Sequence, residues 1–287
     1  MWQEYVFPQS VPQALEVLRA YAGTARIIAG GTDLVIQLKE DDGGVKCLLD
    51  ITRLQELREI TIEGGIISIG AAVTYREALA SPLLQEKAPM LLEACREVGS
   101  PQIRNVGTIV GNIVNAQPAA DAAIALLALD AEVEIASAVG LRREPLGSLF
   151  LDVGLCRVDP TSELVTKVLF RALGEDQGTA FERLAKRRAL ALPMLNVAAV
   201  VTVKGGLFQD ARLAMGPVAP VPFRARKAET FLASKPVTSE SIAQAARLAS
   251  EEAEPRSSVL RGSREYRKEM VTVFVRRALE RASAKWL

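Results

Sequence analysis

The chain has no histidine among its 287 residues. That absence removes the Ser-His-Asp and Cys-His nucleophilic machineries, the commonest general base and the commonest metal ligand. Its three cysteines, Cys47, Cys95 and Cys156, are scattered, with no C-x-x-C pair. Iron–sulfur clusters and structural zinc need grouped thiolates, so neither is expected, and each cysteine reads as a small buried hydrophobe. No apolar run reaches the roughly 18 residues needed to span a bilayer. The opening MWQEYVFPQS carries neither a basic n-region nor an apolar h-region. No signal peptide is expected, and a cytoplasmic location is the default. Nor is there an excess of charge of one sign. Thirty-five Lys and Arg against 34 Asp and Glu leave a net charge of +1, which argues against nucleic-acid binding through bulk electrostatics. If this chain takes part in chemistry, a bound cofactor is expected to carry it.

What is present is concentrated in two glycine-bearing stretches. The first, Ile27-Ile28-Ala29-Gly30-Gly31-Thr32-Asp33-Leu34, runs from a predicted strand at Arg26–Ile28 into the opening of a helix at Leu34–Leu38. A glycine turn entering a helix presents unpaired backbone N–H groups, which suit a diphosphate. The plainer alternative is a strand–helix turn with Thr32 or Asp33 as N-cap. Neither G-x-G-x-x-G nor a P-loop lysine is present, so neither assignment applies. The Asp33 carboxylate must turn away from any phosphate, most simply to cap backbone.

The second stretch, IRNVGTIVGNIVNAQPAADAAIALLALD (103–130), gathers Gly107, Thr108, Gly111, Asn112, Asn115, Pro118 and Asp121 ahead of an apolar helix predicted from Asp121 to Leu129. Gly107 and Gly111 clear space for a ligand, and Thr108 and Asn112 can hold its polar atoms. Asp121 can accept paired hydrogen bonds from sugar hydroxyls. Pro118 suits the first helical turn. The alternative is a series of Asn/Gly turns, with Asp121 merely favouring its helix dipole. Two such stretches suggest a long, phosphate-bearing ligand held at two places.

The rest of the pattern is α+β. Strands are predicted at Lys46–Ile51, Ala131–Ile135, Glu163–Phe170, Asn196–Val203 and Gln209–Ala214, with a hairpin of Ile60–Ile62 and Ile66–Ile69 about Gly64-Gly65. Helices are predicted from Ser10–Pro12 onward, at Tyr75–Ala80 and Met90–Val98. Three more close the chain, at Arg226–Ala233, Ser239–Glu254 and Ser263–Ala284. Leu173–Gly178 reads as a polar linker, and Pro217, Pro220 and Pro222 as a stiff connection. Lys186-Arg187-Arg188 and Arg276-Arg277 read as solvated faces, as does Arg142-Arg143 in a predicted loop; docking of an acidic partner is the other option. Trp2, Tyr5 and Phe7 read as the inward face of a strand.

The segments IIAGGTDLVIQLK and IRNVGTIVGNIVNAQPAADAAIALLALDAEVEI resemble the two FAD loops of the FAD-binding subunit of the molybdenum hydroxylases, the xanthine dehydrogenase and carbon monoxide dehydrogenase medium-chain family. FERLAKRRALALPMLNVAAVV, GPVAPVPFRARKAE and RGSREYRKEMVTVFVRRAL resemble signatures of that family's C-terminal domain. The resemblance runs nearly the length of the chain in the family's order. It implies an α+β architecture with a vanillyl-alcohol-oxidase-type FAD-binding fold: subdomains at 1–55 and 56–175 clasping FAD, then a C-terminal α+β domain at 179–287. It implies FAD contacts at Ala29, Gly30, Gly31, Thr32, Asp33 and Leu34, largely by backbone. It also implies contacts at Gly107, Thr108, Gly111, Asn112, Asn115 and Asp121, a strand residue near Val165, and a basic residue near Arg183 or Lys186.

The activity implied is electron transfer. An iron–sulfur partner subunit hands electrons to FAD, which passes them to NAD or another acceptor, while a separate molybdenum-cofactor subunit oxidises substrate. Two other readings are an assembly subunit that has lost FAD and a stand-alone flavin oxidoreductase. Val110, standing where the family usually has a glycine, leans toward the loss of FAD if it faces the ligand, and is harmless if it points into the core. Gln117 replaces a smaller residue.

Overall fold

Hydrophobic pattern and turn chemistry divide the chain among three principal sheets. The structure, a computed structural model, describes residues 2–41, 43–187, 190–259 and 262–287. The first sheet is parallel, in the order β1-β3-β2, from β1 (Glu4–Val6), β2 (Ala25–Ile28) and β3 (Cys47–Asp50). Its connections are α1 (Val11–Ala20) and α2 (Leu34–Glu40). Ser10 caps α1, with Pro12 in its first turn, as its sequence predicts.

The second sheet is antiparallel. It orders β4 (Ile60–Glu63), β5 (Ile66–Gly70), β6 (Glu132–Ser137), β7 (Gly140–Pro145) and β10 (Leu164–Arg171) as β4-β5-β10-β6-β7. Between β5 and β6 lie α3 (Tyr75–Ala80), α4 (Pro82–Lys87), α5 (Pro89–Glu97), α6 (Pro101–Val106), α7 (Ile109–Val114) and α8 (Asp121–Ala128). A small hairpin, β8 (Phe150–Asp152) with β9 (Leu155–Cys156), follows β7. In the β4–β5 turn Gly64 and Gly65 both hold φ > 0, at 56° and 78°, the conformation that a two-residue hairpin demands.

The third sheet, β11 (Gln177–Leu184), β12 (Leu195–Lys204), β13 (Leu207–Gly216) and β14 (Phe223–Arg224), is antiparallel in sequence order. It is followed by α9 (Arg226–Leu232), α10 (Ser239–Glu252) and α11 (Arg264–Ala282). β12 is apolar on both faces because both are covered. Val197, Ala199 and Val201 enter the core under α9–α11, whereas Ala198 and Val200 enter the core shared with the second sheet. That sharing fixes the third sheet against α5 and α8, and so against the functional cleft. At the seam Gly216 lies so close that a Cβ would fall 2.2 Å from the Pro118 carbonyl oxygen, and Arg224 reaches Asp130 at 2.8 Å.

The structure corrects four expectations. Arg142 and Arg143 sit in β7, not in a loop; Arg142 pairs with Glu144 at 2.8 Å and with Glu163, and Arg143 with Glu134 at 3.1 Å. On β1 it is Val6 that faces the core, while Tyr5 is 44% exposed and donates its hydroxyl to Asp50 at 2.6 Å. Tyr5 thus lies on the outer side and Arg53 stacks on Phe7 at 3.8 Å, whereas Trp2 packs inward against the cluster of Ile28, Val45 and Leu48. Gln177 and Gly178 belong to β11 rather than to the linker. Pro118 lies ahead of α8, not in its first turn. Lys186, Arg187, Arg276 and Arg277 are exposed as expected, and Arg188 lies outside the described residues. Cys47 and Cys95 are buried. Among the described residues no helix is long and apolar enough to cross a membrane.

One local feature ties α3 to the second glycine stretch. Thr74 caps α3 in a complete capping box with Glu77, and also pairs with Thr108 in an isolated β-bridge. Thr74→Ala removes the cap and is expected to lower stability by about 1 kcal/mol, read from the midpoint of a urea denaturation curve at unchanged slope.

Candidate functional site

Both glycine stretches open onto one cleft of about 1290 Å³. That exceeds the roughly 300–1,000 Å³ usual for compact ligands and suits an extended one. Ala29, Gly30, Gly31, Thr32, Asp33, Leu34, Gly107, Thr108, Gly111, Asn112, Asn115, Asp121, Val165 and Arg183 all line it.

The first stretch leaves β2 and turns before α2. Gly30 is required by packing: a Cβ there would lie 2.1 Å from the Val106 carbonyl oxygen and 2.7 Å from Gly107 Cα. The two glycine sites therefore abut, backbone on backbone. Gly31 holds φ at +66°, the left-handed region that favours glycine. Through this turn the N–H groups of Gly30, Gly31, Thr32 and Asp33 donate to no acceptor among the described residues. Consecutive free amides of this kind form an anion-binding concavity. Asp33 occupies the N-cap position of α2, but its side chain makes no cap bond. Contrary to expectation, its carboxylate accepts the Thr32 hydroxyl at 3.3 Å.

The second stretch is not one loop but two short helices, α6 and α7, meeting at Gly107. Ser100 and Thr108 cap them; these N-cap signals are legible in the sequence, but the Gly and Asn content masks them. Thr108 Oγ1 accepts the Gly111 N–H at 3.0 Å, and at Gly111 a Cβ would lie 2.7 Å from that same oxygen. Asn112 Oδ1 accepts the Ala123 N–H at 3.3 Å. It thus caps α8 from outside, because Ala120 at the N-cap has no side chain for the task. Asn115 Oδ1 accepts from Gln37 Nε2 at 3.3 Å, stitching α7 to α2. Val110 borders the cleft but is only 4% exposed, packed in the main core. Gln117 stands against Gly154 of the β8–β9 turn.

At the base of α8 lies the strongest electrostatic feature. Asp121 is 7% exposed, and its Oδ1 accepts from Arg183 Nε at 2.9 Å and from Asn196 Nδ2 at 3.0 Å. Arg183 also bonds the Ala191 carbonyl and stands 3.5 Å from Glu97. Burial raises the Asp121 pKa to about 6 despite the attraction of Arg183. Tyr75, fully buried beside the cleft, has its pKa pushed well up by burial, with Cys95, Asp121 and Asp33 adding to the effect, and its hydroxyl finds no partner in the described structure.

Sequence reading missed several contributors: Tyr75, Glu97, the Val153–Leu155 turn, Leu190–Pro193, and Pro255–Ser258 ahead of α11. It also missed Asn196, which stands behind the cleft wall. The lining residues carry no local signal: Tyr75, Glu97 and the 153–155 turn reach the cleft through packing around the second sheet, and 190–193 and 255–258 through packing of the third. Asn196 does carry one, as a lone amide opening the apolar run NVAAVV.

Two family descriptions match the chain. "FAD binding domain in molybdopterin dehydrogenase" matches residues 2–170, and "CO dehydrogenase flavoprotein C-terminal domain" matches residues 180–282. The xanthine dehydrogenase FAD-binding subunit of Escherichia coli O157:H7 is 32% identical over 261 residues, 91% of this chain and 89% of that one. The glyceraldehyde dehydrogenase medium chain of Sulfolobus acidocaldarius is 34% identical over 277 residues, 96% of each. In the solved carbon monoxide dehydrogenase of Hydrogenophaga pseudoflava that lacks the Mo-pyranopterin moiety, one chain superposes with a TM-score of 0.93 at 32% identity, covering 99% of this chain and 98% of that one.

Proposed function

We propose, from the premise that this chain belongs to the family of FAD-binding subunits of the molybdopterin dehydrogenases, that its cleft holds FAD and relays electrons from an iron–sulfur partner subunit to NAD or another acceptor. The chain is a flavoprotein of that oxidoreductase family, and FAD is its cofactor. When bound, FAD supplies the redox centre.

The observation that carries the reading is the meeting of two glycine stretches, distant in sequence, at one cleft of dinucleotide size. The residues present fit the group. On this reading the free amides of Gly30–Asp33 receive the diphosphate. The Thr108 hydroxyl accepts from Gly111 and keeps its own proton to donate, and the Asn112 amide nitrogen stays available while its oxygen caps α8. Asp121 accepts a sugar or ribityl hydroxyl, Val165 edges the cleft from β10, and Arg183 holds the charge of Asp121 in place. Residues 1–55 and 56–175 act as the two clasping subdomains, and 179–287 as the C-terminal domain. Substrate oxidation falls to a separate molybdenum-cofactor subunit, and the complex works in the cytoplasm.

Reconstitution tests this. The purified chain, titrated with FAD, is expected to quench flavin fluorescence at one site per chain. Thr108→Val and Asp121→Asn, each removing a polar contact, are expected to weaken that binding by roughly tenfold or more. Wild-type affinity in both variants overturns the assignment.

A further inference from the structure

Arg183 and Asn196 are directly opposite each other on the antiparallel strands β11 and β12. Their side chains leave the same face, and both donate to the same atom, Asp121 Oδ1, at 2.9 and 3.0 Å. The other oxygen, Oδ2, accepts no hydrogen bond from any described residue, and Asp121 lines the cleft. Asn196 does not line the cleft; it is 0% exposed, and its own Oδ1 is buried with no partner. An unsatisfied buried acceptor is costly, so a residue needed for packing alone would be apolar here. Turning the amide over would set two oxygens against each other, so the donor must face Asp121.

We infer that Asn196 is a positioning residue for the cofactor site: with Arg183 it holds one oxygen of Asp121, so that the other is presented to a hydroxyl of the bound cofactor. The inference rests on the reading of the cleft as the FAD site. The third sheet thereby enters the binding site without touching the ligand. Other groups also act on Asp121: Arg183 from β11 favours its ionised form and Glu97 from α5 opposes it, while Tyr75 of α3 and Cys95 of α5 lie within its field.

The test is FAD affinity, by fluorescence quenching of the full chain, measured from pH 5 to 8. In the wild type the affinity is expected to fall as pH drops below about 6, where Asp121 takes up its proton. Asn196→Ala removes a donor that favours the carboxylate. It is expected to weaken binding about fivefold to tenfold at pH 7.5 and to move the acid limb up by about half a unit or more. Asn196→Leu fills the space without supplying a donor, and is expected to give the same shift if the alanine variant folds poorly. A variant that folds, by near-ultraviolet circular dichroism, and keeps the wild-type acid limb overturns the role of Asn196. If the wild type shows no acid limb, or Asp121→Asn leaves the limb in place, the reading of Asp121 as a cofactor contact fails instead.

Discussion

Gly30→Ala lowers FAD affinity by at least about a hundredfold and destabilises the chain by about 3 kcal/mol, the upper end of ordinary overpacking costs. The new methyl would lie 2.1 Å from the Val106 carbonyl oxygen and 2.7 Å from Gly107 Cα. Neither neighbour is a side chain that can swing away. Relief requires the first glycine stretch to retreat from the junction of α6 and α7, and that junction is where the two halves of the cleft meet. Gly31→Ala is the informative contrast. There the strain is the positive φ, and the nearest atoms belong to the Ile28 and Val35 side chains, so a smaller loss of about 1–2 kcal/mol is expected. Urea denaturation gives the stabilities, and fluorescence titration the affinities. A Gly30 variant that binds FAD as well as the wild type would show that the abutting backbones are irrelevant to the site.

Arg183→Met is expected to cost about 3–5 kcal/mol at pH 8, because it leaves a buried carboxylate uncompensated. The pH dependence identifies the cause. In the folded chain the Asp121 pKa is raised by burial from 3.8 to about 6. Folding therefore tightens proton binding, so the stability this group contributes is fully present below pH 3.8 and lost as pH rises through about 6. Without Arg183 the folded pKa climbs further and the loss at alkaline pH grows. At pH 5, with Asp121 protonated in the folded variant, the penalty shrinks toward that of lost packing and lost hydrogen bonds. Denaturation curves at pH 5 and pH 8 read the difference. Equal penalties at both would mean that the guanidinium acts through packing and uncharged hydrogen bonds, not through the charge of Asp121.

Much of the fold was legible because its signals are local. The Ser10-Pro12 cap, the Gly64-Gly65 turn and the period-3.6 apolar stripes each sit within a few residues of the element they specify. The errors came where tertiary context reverses a local pattern. β1 is expected to turn its aromatics inward, but it is Val6 that packs on the main core, while Tyr5 stays exposed and Arg53 covers Phe7. Arg142 and Arg143 remain solvated as expected, but they sit in β7 rather than a loop, where pairing of β6 with β7 and packing of the loop before β10 set Glu134, Glu144 and Glu163 beside them. The stretch from Ile103 reads as a loop on the strength of Gly107, Gly111, Asn112 and Asn115, yet Ser100 and Thr108 start a helix each.

By itself the sequence determined the chemistry available to this protein. A chain without histidine and without paired cysteines lacks the commonest base and metal ligands, so a bound cofactor is the expected source of its chemistry, and two glycine stretches bearing Thr, Asn and Asp are where one is expected to sit. Those are matters of composition and short-range backbone freedom, which a sequence states directly. The tertiary structure decided which glycine serves which need. Gly30 makes room for another backbone rather than for ligand, Gly31 supplies a left-handed turn, and Val110 belongs to the core. It decided, too, that Asp121 is held from the third sheet by Arg183 and Asn196, 62 and 75 residues further along the chain. Such a contact depends on two strands pairing in register and then docking on α8, and no local pattern encodes it.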